Sequence, residues 1–167
     1  DGKCRQLFTD SKEGNRIKMV ADITFDKKGT LWIAATGEGV FSYRFDNGQL
    51  TNYRHDPATP HNLSNNNVNN IMQDGKGHLW FATSGSGLDL FSPSTGNFEN
   101  FDRAKNGLSS DCIYEVRESP VSGQLLLITN EGFSIFDQRS KRFRNYSAEN
   151  GFPLTAVNEN ALCVTRD

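Results

Sequence analysis

The amino-acid sequence predicts an all-β fold made of a repeated four-stranded unit. One motif recurs at nearly constant spacing through the 167 residues. Short segments rich in aromatic and β-branched side chains accompany each copy, and glycine or Asp/Asn turns separate these segments. No stretch shows a helical periodicity of useful length.

The repeat is clearest in one segment, which we call b. Residues 29–34 (GTLWIA) recur as residues 77–82 (GHLWFA) and, more weakly, as residues 123–128 (GQLLLI). Counted between equivalent positions, the spacing is 48 residues and then 46 residues, at Trp32, Trp80 and Leu126. A fixed period of this length is typical of repeat architectures.

Three further segments, a, c and d, complete each unit. Segment a precedes b at residues 23–26, 71–74 and 116–119. Segment c follows b at residues 40–43, 88–91 and 133–136, and segment d follows c at residues 50–53, 98–101 and 143–146. The b–c turns contain glycine, which adopts the positive φ of tight hairpins. Four strands joined by short hairpins form an antiparallel meander.

Segment b indicates how the meanders pack. Residues 31–34 (LWIA) are apolar without interruption, so both faces of this strand are expected to be buried. A small meander that is buried on both faces at its centre is typical of a β-propeller blade between two neighbours. A parallel β-helix fits less well, because its coils are shorter and lack two-residue hairpins. We expect Trp32 and Trp80 to lie between blades.

We therefore predict a β-propeller fragment of three complete blades plus one lone strand at each end. The predicted divisions are a strand of a preceding blade and a linker (1–19), three blades with their linkers (20–54, 55–102 and 103–147), and a linker with the first strand of the next blade (148–167). The lone strands, residues 4–8 and 161–166, could not form a continuous sheet together. We expect the chain to belong to a larger ring and to self-associate through its uncovered ends, the alternative being a frayed monomer.

Two motifs resemble the two-component regulator propeller repeat. One is Gly-Xaa-Leu-Trp-(Ile/Phe)-Ala followed by Gly-Xaa-Gly, and the other is the lead into segment a, at residues 61–68 (HNLSNNNV) and 106–113 (NGLSSDCI). Two copies match the family pattern well, whereas the third has Leu126 in place of tryptophan. In this family such repeats build the extracytoplasmic sensor propellers of bacterial hybrid two-component histidine kinases, notably in Bacteroidetes.

The resemblance implies a ligand-sensing propeller segment of a bacterial signal-transduction receptor. Its location would be periplasmic, as part of a membrane-anchored receptor, and its ligand an oligosaccharide released during polysaccharide breakdown. The alternative is a structural or protein-docking propeller that binds no small molecule. The ligand, the number of blades and the output domain are left open.

The polar linkers between segments d and a supply the candidate binding residues. In a propeller these linkers and the b–c turns emerge on one face, where amides and hydroxyls can bind a sugar. The candidate ligand-binding residues are His55, His61, Asn62, Asn65, Asn66, Arg103 and Asn106. The competing interpretation is that Asn and Ser only set turn geometry and bond the linker backbone.

Composition and spacing argue against other functions. The net charge is −2 and no basic stripe is present, so we expect no nucleic acid partner. The longest aliphatic run, residues 125–128, predicts no membrane contact by this segment, and no targeting segment is recognisable. The remaining blades of a parent propeller are the expected protein neighbours.

The residues that could carry chemistry are few. The three histidines occupy non-equivalent positions, so we predict no metal and no cofactor. No nucleophile has an evident base, so we predict no enzyme activity in this chain. Asp26 and Asp74 are expected to cap their own turns. Cys4 and Cys163 fall where a small buried apolar residue is expected.

Overall fold

The computed structural model describes residue 7, residue 12 and residues 14–121 and 123–152. Within these residues, twelve strands form three four-stranded antiparallel sheets. Two 3-10 turns, Gly14–Arg16 and Ala148–Asn150, flank them. Apart from residue 7, the predicted lone strands at residues 4–8 and 161–166, with Cys4 and Cys163, lie outside the described residues.

Each sheet is one blade, with its strands in chain order. The first blade contains β1 (Val20–Phe25), β2 (Leu31–Ala35), β3 (Gly39–Arg44) and β4 (Gln49–Tyr53). The second contains β5 (Val68–Gln73), β6 (Leu79–Thr83), β7 (Leu88–Ser92) and β8 (Asn97–Phe101). The third contains β9 (Ile113–Glu118), β10 (Gln124–Thr129), β11 (Gly132–Asp137) and β12 (Arg142–Tyr146). The four predicted segments of each unit are therefore the four strands of one meander.

One short helix was not predicted. The four-residue α1 (Arg103–Asn106) lies in the linker before the third blade. The side chain of Asp102 caps its N-terminus by accepting a hydrogen bond from the Lys105 amide, and Gly107 ends it with a φ of 79°. A single turn is too short to show a 3.6-residue pattern in the sequence.

Hydrogen bonds at repeated positions join the innermost strands of neighbouring blades. The Asp22 carboxylate of β1 accepts from the Ile71 amide of β5 at 2.7 Å. At the equivalent place in the next gap, the Asn70 side chain accepts from the Val116 amide of β9 at 3.0 Å. These side chains bond the backbone of the neighbouring blade, so they fix the blades at a constant offset.

The core lies between blades, as the apolar b segments predicted. Every residue of β2 and β6 is buried. The Trp32 ring contacts the rings of Phe81 and Phe91 in the second blade, with centroids 5.7 and 5.2 Å away. The Trp80 ring contacts that of Phe136 in the third blade at 5.8 Å. The predicted inter-blade position of both tryptophans is confirmed.

The turn-capping role predicted for Asp26 and Asp74 is also confirmed. One oxygen of Asp74 accepts from the amides of Lys76 and His78, which closes the a–b turn. The other accepts from the Trp80 indole at 3.1 Å, an interaction that the sequence analysis did not assign. Burial acts to raise the pKa of Asp74, but hydrogen bonds from Trp80 and His78 outweigh it and lower the pKa. The carboxylate therefore stays ionised and fixes the indole.

A candidate ligand groove on the linker face

The linkers and the b–c turns meet on one face of the blades, which we call the linker face. The Gly39 amide after the first b–c turn donates to the Asn66 carbonyl of the linker at 2.9 Å. In the second blade the Gly87 amide donates to the Asp111 carbonyl of the following linker at 2.8 Å. The chain brings both polar segments together by the same hydrogen bond in successive units.

The first linker is anchored by an apolar side chain. Leu63 is fully buried in the cluster between the first and second blades, and Leu108 holds the equivalent place in the second linker. Hydrogen bonds within the linker fix the polar residues around Leu63: the His55 amide donates to the Asn66 side chain at 2.9 Å, and the Asn62 side chain donates to the Asp56 carbonyl at 2.6 Å. The linker is thus an ordered wall.

This wall borders a groove of about 610 Å³ over the outer part of the second blade. The groove lies between the linker, the b–c turn, strand β8 and the start of α1. The residues that line it are His55, His61, Asn62, Ser64, Gly85, Ser86, Phe98, Glu99, Asn100, Asp102, Lys105 and Asp111. Its volume is within the range of small-molecule sites, about 300–1,000 Å³.

The structure brings three of the seven predicted site residues into the groove: His55, His61 and Asn62. The other three asparagines bond backbone groups, and Arg103 faces a carboxylate. Asn65 donates to the Ser84 carbonyl and to the Ser86 hydroxyl, Asn66 accepts from His55, Asn106 donates to the Lys141 carbonyl, and the Arg103 guanidinium lies 3.7 Å from Glu131. For these asparagines the geometry fits the competing, turn-forming interpretation.

His61 has an unusual backbone for a residue that faces a groove. Its φ of 58° is in the left-handed region, which non-glycine residues seldom adopt. The Phe98 amide of β8 donates to its carbonyl at 2.7 Å, so the strained turn ties the linker to the edge of the second blade. The imidazole is exposed and is therefore available to a ligand.

A buried carboxyl that the sequence analysis missed lies beneath the groove. Asp89 of β7 is fully buried, and its two oxygens accept from the Ser64 amide at 2.9 Å and the Asn100 side chain at 3.0 Å. Burial raises its pKa to about 6, and the hydrogen bonds from Ser64 and Asn100 only partly oppose this. An alignment of the three blades would have identified Asp89, because the equivalent positions of the first and third blades hold the uncharged residues Phe41 and Ser134.

Charged side chains line the wall of the groove nearest to α1. Asp102 pairs with Lys105 at 2.8 Å, and the Asp111 carboxylate accepts from the Arg103 amide at 2.7 Å. Partial burial opposes ionisation of Asp102, but the hydrogen bonds from Lys105 outweigh it and lower the pKa. The groove therefore offers hydroxyl, amide, imidazole and charged groups side by side. Among the residues that the structure describes, no group of three His, Cys, Asp or Glu side chains could hold a metal ion.

Comparison with known families bears on these repeats. The model of the two component regulator propeller family matches residues 62–85, which run from the linker through β5 and β6 to the second b–c turn. The chain carries a two component regulator propeller repeat. The resemblance predicted from the linker and Gly-Xaa-Leu-Trp motifs is confirmed. No curated protein matches the chain.

Solved structures with the same fold include two from B. thetaiotaomicron. The extracellular domain of BT3049, described as a hybrid two component system, matches with a TM-score of 0.73 at 19% identity, over 84% of this chain and 20% of that one. The extracellular domain of BT4673, also described as a hybrid two component system, matches with a TM-score of 0.67 at 24% identity, over 84% and 20%. The predicted all-β propeller architecture is confirmed.

A third structure of this fold is PorZ, a surface component of the type-IX secretion system of Porphyromonas gingivalis. It matches with a TM-score of 0.59 at 21% identity, over 71% of this chain and 17% of that one. The chain spans about a fifth of the length of each of these three structures. In the described part of the chain, no helix is long and apolar enough to cross a membrane.

Proposed function

We propose that the chain is a ligand-sensing propeller segment of an extracytoplasmic receptor for signal transduction, and that its ligand is an oligosaccharide. Support comes from the two component regulator propeller repeat and from the shared fold of extracellular domains described as belonging to two component systems. The segment itself would be non-catalytic, and a membrane-anchored histidine kinase would carry the output.

The observation that carries the proposal is the linker-face groove. Its wall combines a free imidazole, amides and hydroxyls over an ordered backbone, which suits the many donors and acceptors of a sugar. The matched repeat, residues 62–85, supplies three of the lining residues, Asn62, Ser64 and Gly85. The binding residues would therefore be His55, His61, Asn62, Ser86 and Lys105.

Titration calorimetry with neutral xylo-, cello-, malto- and galacto-oligosaccharides tests the proposal. At least one of them should bind, and the variant His61→Asn should weaken that binding about tenfold, the effect of losing roughly 1.4 kcal/mol of contact energy. Asparagine tolerates the left-handed backbone of His61, so the melting temperature should hardly change. Asn65 is left intact, because its side chain holds the linker.

The matched control is Arg139→Gln, an exposed change in the third blade's c–d turn, on the opposite face. It should leave affinity unchanged. Salt should have little effect on the affinity, because neutral groups make most of the contacts. Equal affinity of His61→Asn and the unmodified chain would place the site elsewhere, and no binding of any oligosaccharide would refute the proposal.

One observation favours the alternative of a protein-docking propeller. The first blade exposes apolar side chains on its uncovered face, among them Ile23 at 56% and Phe25 at 61%. PorZ, a component of a secretion system, shares the fold. However, the second blade buries Ile71, the equivalent of Ile23, against the first blade, so a further blade is the simpler cover. Chemical crosslinking that captures a non-propeller protein at this face would favour the alternative.

A further inference from the structure

The two gaps between blades differ on the face opposite the linkers. Between the second and third blades, Leu90 lies beside Trp80 and packs against the core, and Glu99 of the second blade pairs with Lys141 of the third. The Lys141 ammonium also lies 5.6 Å from the centre of the Phe101 ring. In this gap Leu90 is therefore the filler, the side chain that occupies the space between the blades, and the Glu99–Lys141 ion pair is the lid, the contact that bridges its outer edge.

Between the first and second blades, the positions equivalent to Leu90, Glu99 and Lys141 hold smaller side chains. The strand registers place Ser42 where the other gap has Leu90, and Thr51 where it has Glu99. Gly96 occupies the turn position of Lys141, and Thr30 that of His78. The gap therefore lacks both filler and lid, and a crevice of about 620 Å³ opens there.

The floor of this crevice is apolar and rigid. Trp32, Tyr53, Leu79 and Phe91 line it. The Trp32 ring stacks on Tyr53 at 5.7 Å, its indole donates to Asp26 at 3.0 Å, and Tyr53 meets Phe91 edge to face at 5.1 Å. These contacts fix the rings in place, so the floor exists before any ligand arrives.

The walls offer neutral hydrogen-bonding groups. Ser42 is only 7% exposed, and among the described residues neither its hydroxyl nor that of Thr51 has a hydrogen-bond partner. A hydroxyl both donates and accepts hydrogen bonds, so a ligand in the crevice can bond Ser42 and Thr51. The exposed Gln49 lines the same wall.

Charges at the rim of the crevice are balanced. Asp26 and Lys28 lie at the a–b turn, and Arg44 pairs with Asp46 at 2.7 Å at the c–d turn. With two acids and two bases, the crevice has no preference for an ionic ligand. Its complement is a neutral molecule with one apolar face and a rim of hydroxyls, which is the chemistry of a pyranose sugar.

We propose that this inter-blade crevice is a second ligand site, separate from the linker-face groove, which binds one neutral pyranose unit. The apolar face of the sugar ring lies against the half-buried Tyr53, next to the edge of Trp32, and its hydroxyls bond Ser42 and Thr51. The proposal does not depend on the function proposed for the linker face.

The two tryptophans provide an internal control for the test. The chain contains only Trp32 and Trp80, so its indole N–H groups give two NMR signals, which the variant Trp32→Phe assigns. The probes are methyl α-D-glucopyranoside, methyl β-D-galactopyranoside and methyl β-D-xylopyranoside. At least one should shift the Trp32 signal saturably and leave that of Trp80 in place. Glucuronate and glucosamine, which carry a charge, should bind more weakly.

Two variants close the crevice with side chains that the neighbouring gap already accommodates. Ser42→Leu introduces the apolar side chain, and the double variant Thr51→Glu, Gly96→Lys introduces the ion pair at one half-buried and one exposed position. Gly96 has a φ of 74° with no atom near its would-be Cβ, and Lys141 tolerates a similar φ of 55°. Each should weaken pyranoside binding about tenfold or more. The double variant keeps the test valid if the buried change impairs folding.

The matched control is His61→Asn on the linker face, which should leave the Trp32 titration unchanged. If it abolished the shift of Trp32, the sugar would be acting from the other face and the crevice would not be the site. No saturable shift of Trp32 with any of the three pyranosides would overturn the proposal. So would unchanged binding in both closing variants.

Discussion

Truncating Trp80 tests whether the stacking of blades holds this structure together. Its side chain is 2% exposed and contacts Phe101 within its own blade and Phe136 in the next. Its indole is also one of the donors that satisfy the buried Asp74 carboxylate. The variant Trp80→Ala removes the contact between the blades and a hydrogen bond to a buried charge together.

We expect Trp80→Ala to lower the free energy of unfolding by about 3–5 kcal/mol through lost burial and the cavity left behind. The lost charge-assisted hydrogen bond adds about 1.5–3 kcal/mol, so the total lies at or above the top of that range. Trp80→Phe keeps most of the apolar contact, and should cost less than half as much.

Trp32→Ala is the comparison that identifies the cause. Trp32 is equally buried, at 4%, but it borders the open crevice rather than a closed gap. Water can enter the space left by its truncation and can solvate the half-buried Asp26 that its indole bonds, so its loss should cost about 3 kcal/mol, near the bottom of the range. Urea unfolding followed by far-ultraviolet circular dichroism measures both. A loss below about 1.5 kcal/mol for Trp80→Ala, or a larger loss for Trp32→Ala, would refute the reasoning.

Three further predictions follow from the blades. A side chain at Gly87 would overlap the Phe101 carbonyl, so Gly87→Ala should cost well over 2 kcal/mol, whereas Gly96→Ala, with open space around it, should cost about 1 kcal/mol; equal melting temperatures would contradict this. Burial raises the pKa of Asp89 from 3.8 to about 6, so its contribution to stability is complete below about pH 4 and declines as the pH rises through 6, by up to about 3 kcal/mol. Asp89→Ser, which copies the third blade, should flatten this decline in pH-dependent unfolding, and an unchanged slope would exclude Asp89 as its source. We also expect the chain to self-associate head to tail through the uncovered face of its first blade, and light scattering that shows a monomer at every concentration would contradict this.

The fold could be predicted because the same pattern of strands and turns recurs in three units of the sequence. Each recurrent feature has a role in a tight meander that is packed on both faces. The b–c glycines form the tight turn, the apolar run of segment b fills both faces of the strand, and the aspartate before it caps the a–b turn. The structure assigns Gly39 to the close approach against strand d, and Asp26 to the turn that it caps. Where the third unit departs from the pattern, at Leu126, the strand register is nevertheless the same.

The candidate site could be predicted only in part, because asparagine serves two purposes. The same side chain types that bind a sugar also close turns, and the sequence does not distinguish Asn62, which lines the groove, from Asn66, which holds the His55 backbone. To find the buried Asp89 and the open crevice, equivalent positions of different blades, such as Ser42 and Leu90, must be compared. That comparison requires the strand registers.

Amide NMR mapping of bound oligosaccharide tests the central claim most directly. The chain is titrated with the tightest-binding member of the oligosaccharide panel, and each backbone amide is followed. The account predicts saturable shifts that cluster on the linker face, at Ser64, Ser86 and Lys105, with a common affinity. Saturable shifts confined to other surfaces, or none with any oligosaccharide in the panel, would contradict it.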